Sequence, residues 1–130
     1  CDETLSALKA AIELAERDAD ADISLLGEGW IAEEALAMGV FAALTAPDFE
    51  QGVLRAVNHG GDSDSTGSIA GNLLGAALGI EAIPNRWRDG VELGAATLEI
   101  ASDLHECGRW GRVDGAAWHS GSVFSRYPPN

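Results

Sequence analysis

Apolar positions recur at three- and four-residue spacing along most of the chain, which is the period of helices that bury one face. From Thr4 to about Asp18, Leu5, Leu8, Ile12 and Ala15 alternate with acidic residues, predicting an amphipathic first helix. Acidic residues from Asp18 to Asp22 end it, and Gly27-Glu28-Gly29 makes a loop with the backbone freedom of paired glycines. Trp30 to about Thr45 reads as a second helix with Ile31, Ala35, Met38 and Ala42 on one face. Glu33 and Glu34 fall in its first turn, where carboxylates suit the helix dipole. Pro47 fits the first position of a third helix that runs to about Val57, with Phe49, Val53 and Val57 in register.

The fourth helix, from near Asp64 to about Gly79, puts Ile69, Leu73 and Ala76 or Ala77 on one face and carries Gly67, Gly71, Gly75 and Gly79. Each interior glycine costs about 0.8–1 kcal/mol relative to alanine, so three forfeit roughly 3 kcal/mol of helix propensity. Close approach of another backbone to that stripe is the compensation expected, which argues for a tight bundle. Ile83 to Trp87 reads as a connector, and Gly90 to about His105 as a fifth helix with Leu93, Thr97, Ile100 and Leu104 aligned. No strand alternation of useful length, repeat or low-complexity linker is present. The expected fold is all-α, an orthogonal helical bundle over residues 1–108, followed by an irregular tail over 109–130.

The chain has 130 residues, 46% of them hydrophobic, enough for a core and too many for a disordered chain. Its formal net charge of −13 includes a single lysine, Lys9, and leaves no basic stripe for nucleic-acid phosphates or an anionic membrane surface. The longest apolar run, Ile69 to Ile80, is too short to span a bilayer and is interrupted by Asn72. Cys1 and Cys107 have no metal-type spacing and read as reduced thiols; with an acidic, amphipathic N-terminus unlike a signal peptide, a cytoplasmic location is expected. Entry into a helical pattern directly from Cys1 is what a piece of something longer would show.

The candidate chemistry lies in Asn58-His59-Gly60-Gly61-Asp62-Ser63-Asp64-Ser65-Thr66-Gly67. Two carboxylates at i and i+2 and a hydroxyl at i+3, where a loop becomes a helix, can aim three oxygens at one point. Hard cations such as Mg²⁺ or Ca²⁺ take all-oxygen sites of that kind. The same residues can equally be a helix N-terminus, with Ser63 or Asp64 as cap and Asp62 complementing the dipole. An EF-hand loop fails because its twelfth position is Leu73 instead of a bidentate Glu.

The run from Gly60 to Ala76, G-G-D-S-D-S-T-G-S-I-A-G-N-L-L-G-A, resembles the signature of the ADP-ribosylglycohydrolase family, also called the dinitrogenase-reductase-activating-glycohydrolase family. Two flanking pieces agree: Gly27-Glu28-Gly29-Trp30 with Glu33-Glu34-Ala35-Leu36-Ala37 before it, and Ile83-Pro84 with Trp87 after it. The resemblance covers roughly residues 18–104 and implies an all-α fold around a two-metal site, Mg²⁺ or Mn²⁺. It also implies hydrolysis that frees ADP-ribose from modified proteins or small-molecule conjugates.

Carried over residue by residue, the resemblance assigns Asp62, Asp64 and Ser65 to the C-terminal group of metal ligands, with Ser65 where the family often has Thr. Thr66 is a weaker candidate, because one residue further along the helix start turns its hydroxyl away. Trp30 falls where the family tends to carry an aromatic residue near the nucleotide and could stack on adenine; it could equally be a core anchor. His59 could bond a substrate phosphate or ribose, or hold its own turn. The family's other ligands, in a G-D-x-x-G-type motif, and its acidic catalytic residue belong to an N-terminal half with no counterpart here, so no catalytic residue is assigned. The chain is expected to be the C-terminal part of such an enzyme, inactive without that half, which would be its partner. The alternative is a non-catalytic helical module that binds a nucleotide or a partner.

Overall fold

A computed structural model describes residues 2–109. Helices α1 (Asp2–Arg17), α2 (Ala32–Thr45), α3 (Phe49–Val57), α4 (Ser63–Leu78), α5 (Asn85–Gly90) and α6 (Gly94–Arg109) are joined by loops that include 3₁₀ turns at Ile23–Leu26 and Ile80–Ala82. No strand occurs among the described residues, so the all-α expectation holds. Cys1, the thiol of Cys107 and the expected tail lie outside the described residues, except Arg109, which ends α6. The chain divides into two compact units, one ending at Arg88 and one starting at Asp89.

In the first unit α2 is the axis. After its acidic first turn it is apolar nearly all round, the pattern of a helix buried by several neighbours, and α1, α3, α4 and the first 3₁₀ turn all pack on it. Met38, Phe41 and Ala42 are wholly buried, and Ala11 and Leu14 of α1, Ile23, Ala56 of α3 and Ala70 of α4 close the core around them. Ile31, expected on the buried face, is instead the extended residue before α2 and is exposed.

The buried face of α1 is turned from the expected one. Ala11 and Leu14 are buried, with Ala7 and Ala15 beside them, while Leu5 and Ile12 face outward. Alanine-lined helices approach closely, so contact with α2 selects the alanine-bearing ridge over the leucine-bearing one beside it.

Helix α3 starts two residues later than Pro47 suggests. Asp48 is the N-cap and accepts the Gln51 N–H at 2.8 Å, leaving Pro47 outside. Phe49, Gly52 and Ala56 turn inward, and Arg55 ties α3 to its surroundings. Its guanidinium donates to the Thr45 hydroxyl and the Ala19 carbonyl, each at 2.5 Å, and lies 5.6 Å from the Phe41 ring centroid.

Helix α4 runs between α2 and α3, burying Thr66, Ala70 and Leu74 rather than the expected Ile69–Leu73–Ala76 face; Leu73 is exposed. Its glycine stripe receives side chains of α3 instead of a backbone. A Cβ at Gly67 would lie 2.5 Å from Val57 Cγ1, at Gly71 4.0 Å from Val53, and at Gly75 4.0 Å from Phe49. Close backbone approach occurs instead at Gly39 of α2, where a Cβ would lie 2.5 Å from Ile69 Cγ2 and 3.3 Å from the Ala70 nitrogen.

The expected connector Ile83–Trp87 runs into α5. Trp87 meets Phe49 edge-on at 6.2 Å between ring centroids, and Arg86 pairs with Glu50. In the second unit, Leu93 takes a left-handed φ of 58°, which delays α6 to Gly94. No helix among the described residues is long and apolar enough to cross a membrane.

Candidate functional site

Two loops meet at the start of α4. The first is Gly27–Trp30 and the second Asn58–Asp62, and they are joined where the Asp62 N–H donates to the Glu28 carbonyl at 2.8 Å. The contact depends on glycine on both sides. A Cβ at Gly61 would collide with the Glu28 carbonyl, and one at Gly29, which has a φ of +81°, would lie 3.0 Å from Thr66 Cγ2 and 3.5 Å from Asp62 Cβ.

Thr66 and His59 hold the second loop from inside. The Thr66 hydroxyl is completely buried and donates to the Ala56 carbonyl at 2.6 Å, tying the end of α3 to the start of α4. His59 Nδ1 accepts the Gly61 N–H at 3.1 Å, which leaves the Nε2 proton to be donated to the Ala56 carbonyl at 2.9 Å; Nε2 also lies 2.9 Å from the Thr66 hydroxyl. Both nitrogens of His59 are thus engaged within the fold, and the Thr66 oxygen points inward.

Asp62 occupies the N-cap position of α4, but its carboxylate makes no capping hydrogen bond. Its polar neighbours are the residues that the sequence groups with it. The Asp64 side chain first, then the Ser65 hydroxyl, hold the Asp62 carboxyl below its ordinary range, and desolvation opposes them. Asp64 in turn accepts the Ser65 N–H at 2.9 Å.

Asp62, Asp64 and Ser65 therefore sit together at the start of α4, at its N-cap and in its first turn. The donor set fits a hard divalent cation, being all oxygen and including two carboxyl groups. Among the described residues no cluster of three or more His, Cys, Asp or Glu side chains is suited to a metal. The remaining ligands would have to be water or residues outside this set.

Trp30 is 66% exposed, which overturns the core-anchor reading; its indole N–H donates to Glu28 Oε2 at 3.1 Å. It follows directly on Gly29, which lies against Asp62, so an open aromatic face stands on the loop that borders the acidic cluster. Sequence reasoning missed Glu34. From the first turn of α2, its Oε2 accepts the N–H groups of both Glu28 and Gly29 at 3.1 Å. The one sequence signal for this is the Gly27-Glu28-Gly29 loop lying within reach of that first turn.

The family model described as ADP-ribosylglycohydrolase matches residues 2–112. An uncharacterised protein of Archaeoglobus fulgidus is 33% identical over 99 residues, covering 76% of this chain and 32% of that protein. The ADP-ribosyl-[dinitrogen reductase] glycohydrolase of Rhodospirillum rubrum is 46% identical over 39 residues, 30% of this chain and 13% of that one. The ADP-ribosylhydrolase ARH3 of Bos taurus is 29% identical over 114 residues, covering 77% of this chain and 31% of its own. The chain thus spans about a third or less of the length of the curated relatives it matches. No solved structure matches it.

Proposed function

Since the chain belongs to the ADP-ribosylglycohydrolase family, we propose that it carries one ligand group of a metal-dependent hydrolase that frees ADP-ribose from modified proteins or small conjugates. The observation that carries this reading is Asp62, an N-cap aspartate whose carboxylate makes no capping bond and stands with Asp64 and Ser65. Those three residues are the proposed ligands for Mg²⁺ or Mn²⁺. The chemistry such a cation supplies when bound is orientation and polarisation of the substrate's ribose hydroxyls.

The chain's own residues then have distinct tasks. Asp62 and Asp64 provide negative charge, and Ser65 a neutral oxygen. His59 and Thr66 hold the loop that aims them, and Trp30 offers its exposed ring to the adenine of the bound conjugate. No acid–base carboxylate is assigned. Glu34 is committed to the loop amides and Glu28 to the Trp30 indole, so that group, like the remaining ligands, is proposed to lie outside these 130 residues.

Release of ADP-ribose from an ADP-ribosylated protein with Mn²⁺ tests this, comparing the chain alone with the chain plus the remainder of the protein. Release is expected only in the second case, because loss of the acid–base residue alone costs about 10²–10⁴-fold. Release by the chain alone would place the carboxylate within these residues. Release in neither case would reject the hydrolase reading.

A further inference from the structure

We propose that Glu34 is the positioning residue of the Asp62–Asp64–Ser65 cluster, acting through the backbone of Glu28 and Gly29. The inference rests on the cation-site reading for its functional consequence, and on geometry alone for the coupling itself. A glutamate at the third position of a helix ordinarily reaches back to the N-cap amide, as in a capping box. For α2 that amide belongs to Ile31. Glu34 reaches past it, and one oxygen, Oε2, accepts the N–H groups of Glu28 and Gly29 at 3.1 Å each. Its stem fills the space beside Gly27, where a Cβ would lie 2.5 Å from Glu34 Cδ and where φ is +124°. The carboxylate is therefore used to fix a loop, over and above any effect on the helix dipole.

That loop is what Asp62 rests on. The Glu28 carbonyl accepts the Asp62 N–H at 2.8 Å, and Gly29 lies against the Asp62 backbone and Cβ. The path from Glu34 to Asp62 thus consists of two N–H···O bonds, one peptide unit and one further N–H···O bond. Loss of the first two frees the peptide that carries the last. Outer-shell partners that orient metal ligands typically change metal affinity by about 10–100-fold when removed, and Glu34 occupies that place one step further out.

The test uses the 130-residue chain with Mn²⁺ as probe, and compares wild type, Glu34→Ala and Glu34→Gln by amide hydrogen exchange and by Mn²⁺ titration. In Glu34→Ala the amides of Glu28, Gly29 and Asp62 lose protection together, and Mn²⁺ affinity falls about 10–100-fold. Glu34→Gln keeps a carbonyl oxygen that can accept both N–H groups, so it restores the protection and most of the affinity. A purely electrostatic pull on the cation would instead make Gln behave like Ala. Should Glu34→Ala unfold, Glu34→Asp, one methylene too short to span both amides, gives the same comparison.

Unchanged protection at Asp62 in the Ala or Asp variant overturns the proposal, as does unchanged Mn²⁺ affinity in a variant whose loop amides have opened. If wild type binds no Mn²⁺, the cation reading fails, and the coupling is judged by the Asp62 amide alone.

Discussion

Asp62 stands at the N-cap of α4, yet its side chain makes no capping hydrogen bond. The cluster around it was legible as two carboxylates and a hydroxyl at i, i+2 and i+3 where a loop becomes a helix, a spacing that suits a cation site and a plain helix N-terminus alike. The roles of its neighbours were less so. A tryptophan before a helix suits a core or a surface equally, and only the fold decides that Trp30 is open. Glu34 was invisible because a carboxylate that bonds to amides five and six residues upstream follows no helical or strand period.

The Asp62 carboxyl is held below its ordinary value of 3.8, first by Asp64 and then by Ser65. A lowered folded-state value means that its contribution to stability is complete above the ordinary value and is lost as pH falls through the lowered one. In metal-free protein, Ser65→Ala therefore moves the Asp62 midpoint upward, read by carboxyl carbon NMR. An unmoved midpoint would mean that the Ser65 hydroxyl does not engage Asp62.

Among the elements, helices α1 to α4 were legible from periodicity, as was the face of α2 that carries Ala35, Met38 and Ala42, whereas the buried faces of α1 and α4 were not. Alanine and glycine score as weakly apolar in any pattern, yet they decide which ridge of α1 meets α2 and where α2 meets α4. The glycine stripe of α4 illustrates the limit. Its four-residue spacing pointed to close packing, and α3 does pack along it, but within the stripe only Gly67 is tight, and the other tight helix contacts fall at Gly39 of α2 and Gly52 of α3.

The three glycines consequently respond differently to alanine. Gly71→Ala adds a Cβ in ordinary contact with Val53 and gains about 0.8–1 kcal/mol from helix propensity. Gly67→Ala must displace the stiff, β-branched Val57 and forfeits that gain. Gly39→Ala meets Ile69 and the backbone of Ala70 and loses about 1–3 kcal/mol. Urea unfolding of the three variants gives the order; equal stability for Gly39→Ala and Gly71→Ala would contradict the packing described here.

For the whole molecule, the family match, the all-α fold of the described residues and the oxygen donors at the start of α4 have to be reconciled with a chain that spans about a third or less of its curated relatives. They are reconciled if these residues form one wall of a site and supply three of its donors. The net charge of −13 favours this, since an acidic surface concentrates divalent cations before any coordination begins. Nonspecific attraction of that kind also defines the control, because Asp18, Asp20 and Asp22 form a second acidic stretch on the same chain.

The most direct measurement is a Mn²⁺ titration of the chain followed by paramagnetic broadening of backbone amide signals. Saturable broadening centred on residues 62–66 and extending to the 28–30 loop is expected, abolished by Asp62→Asn and by Asp64→Asn. Broadening centred on residues 18–22, or broadening at 62–66 that survives both substitutions, would contradict the cation-site reading.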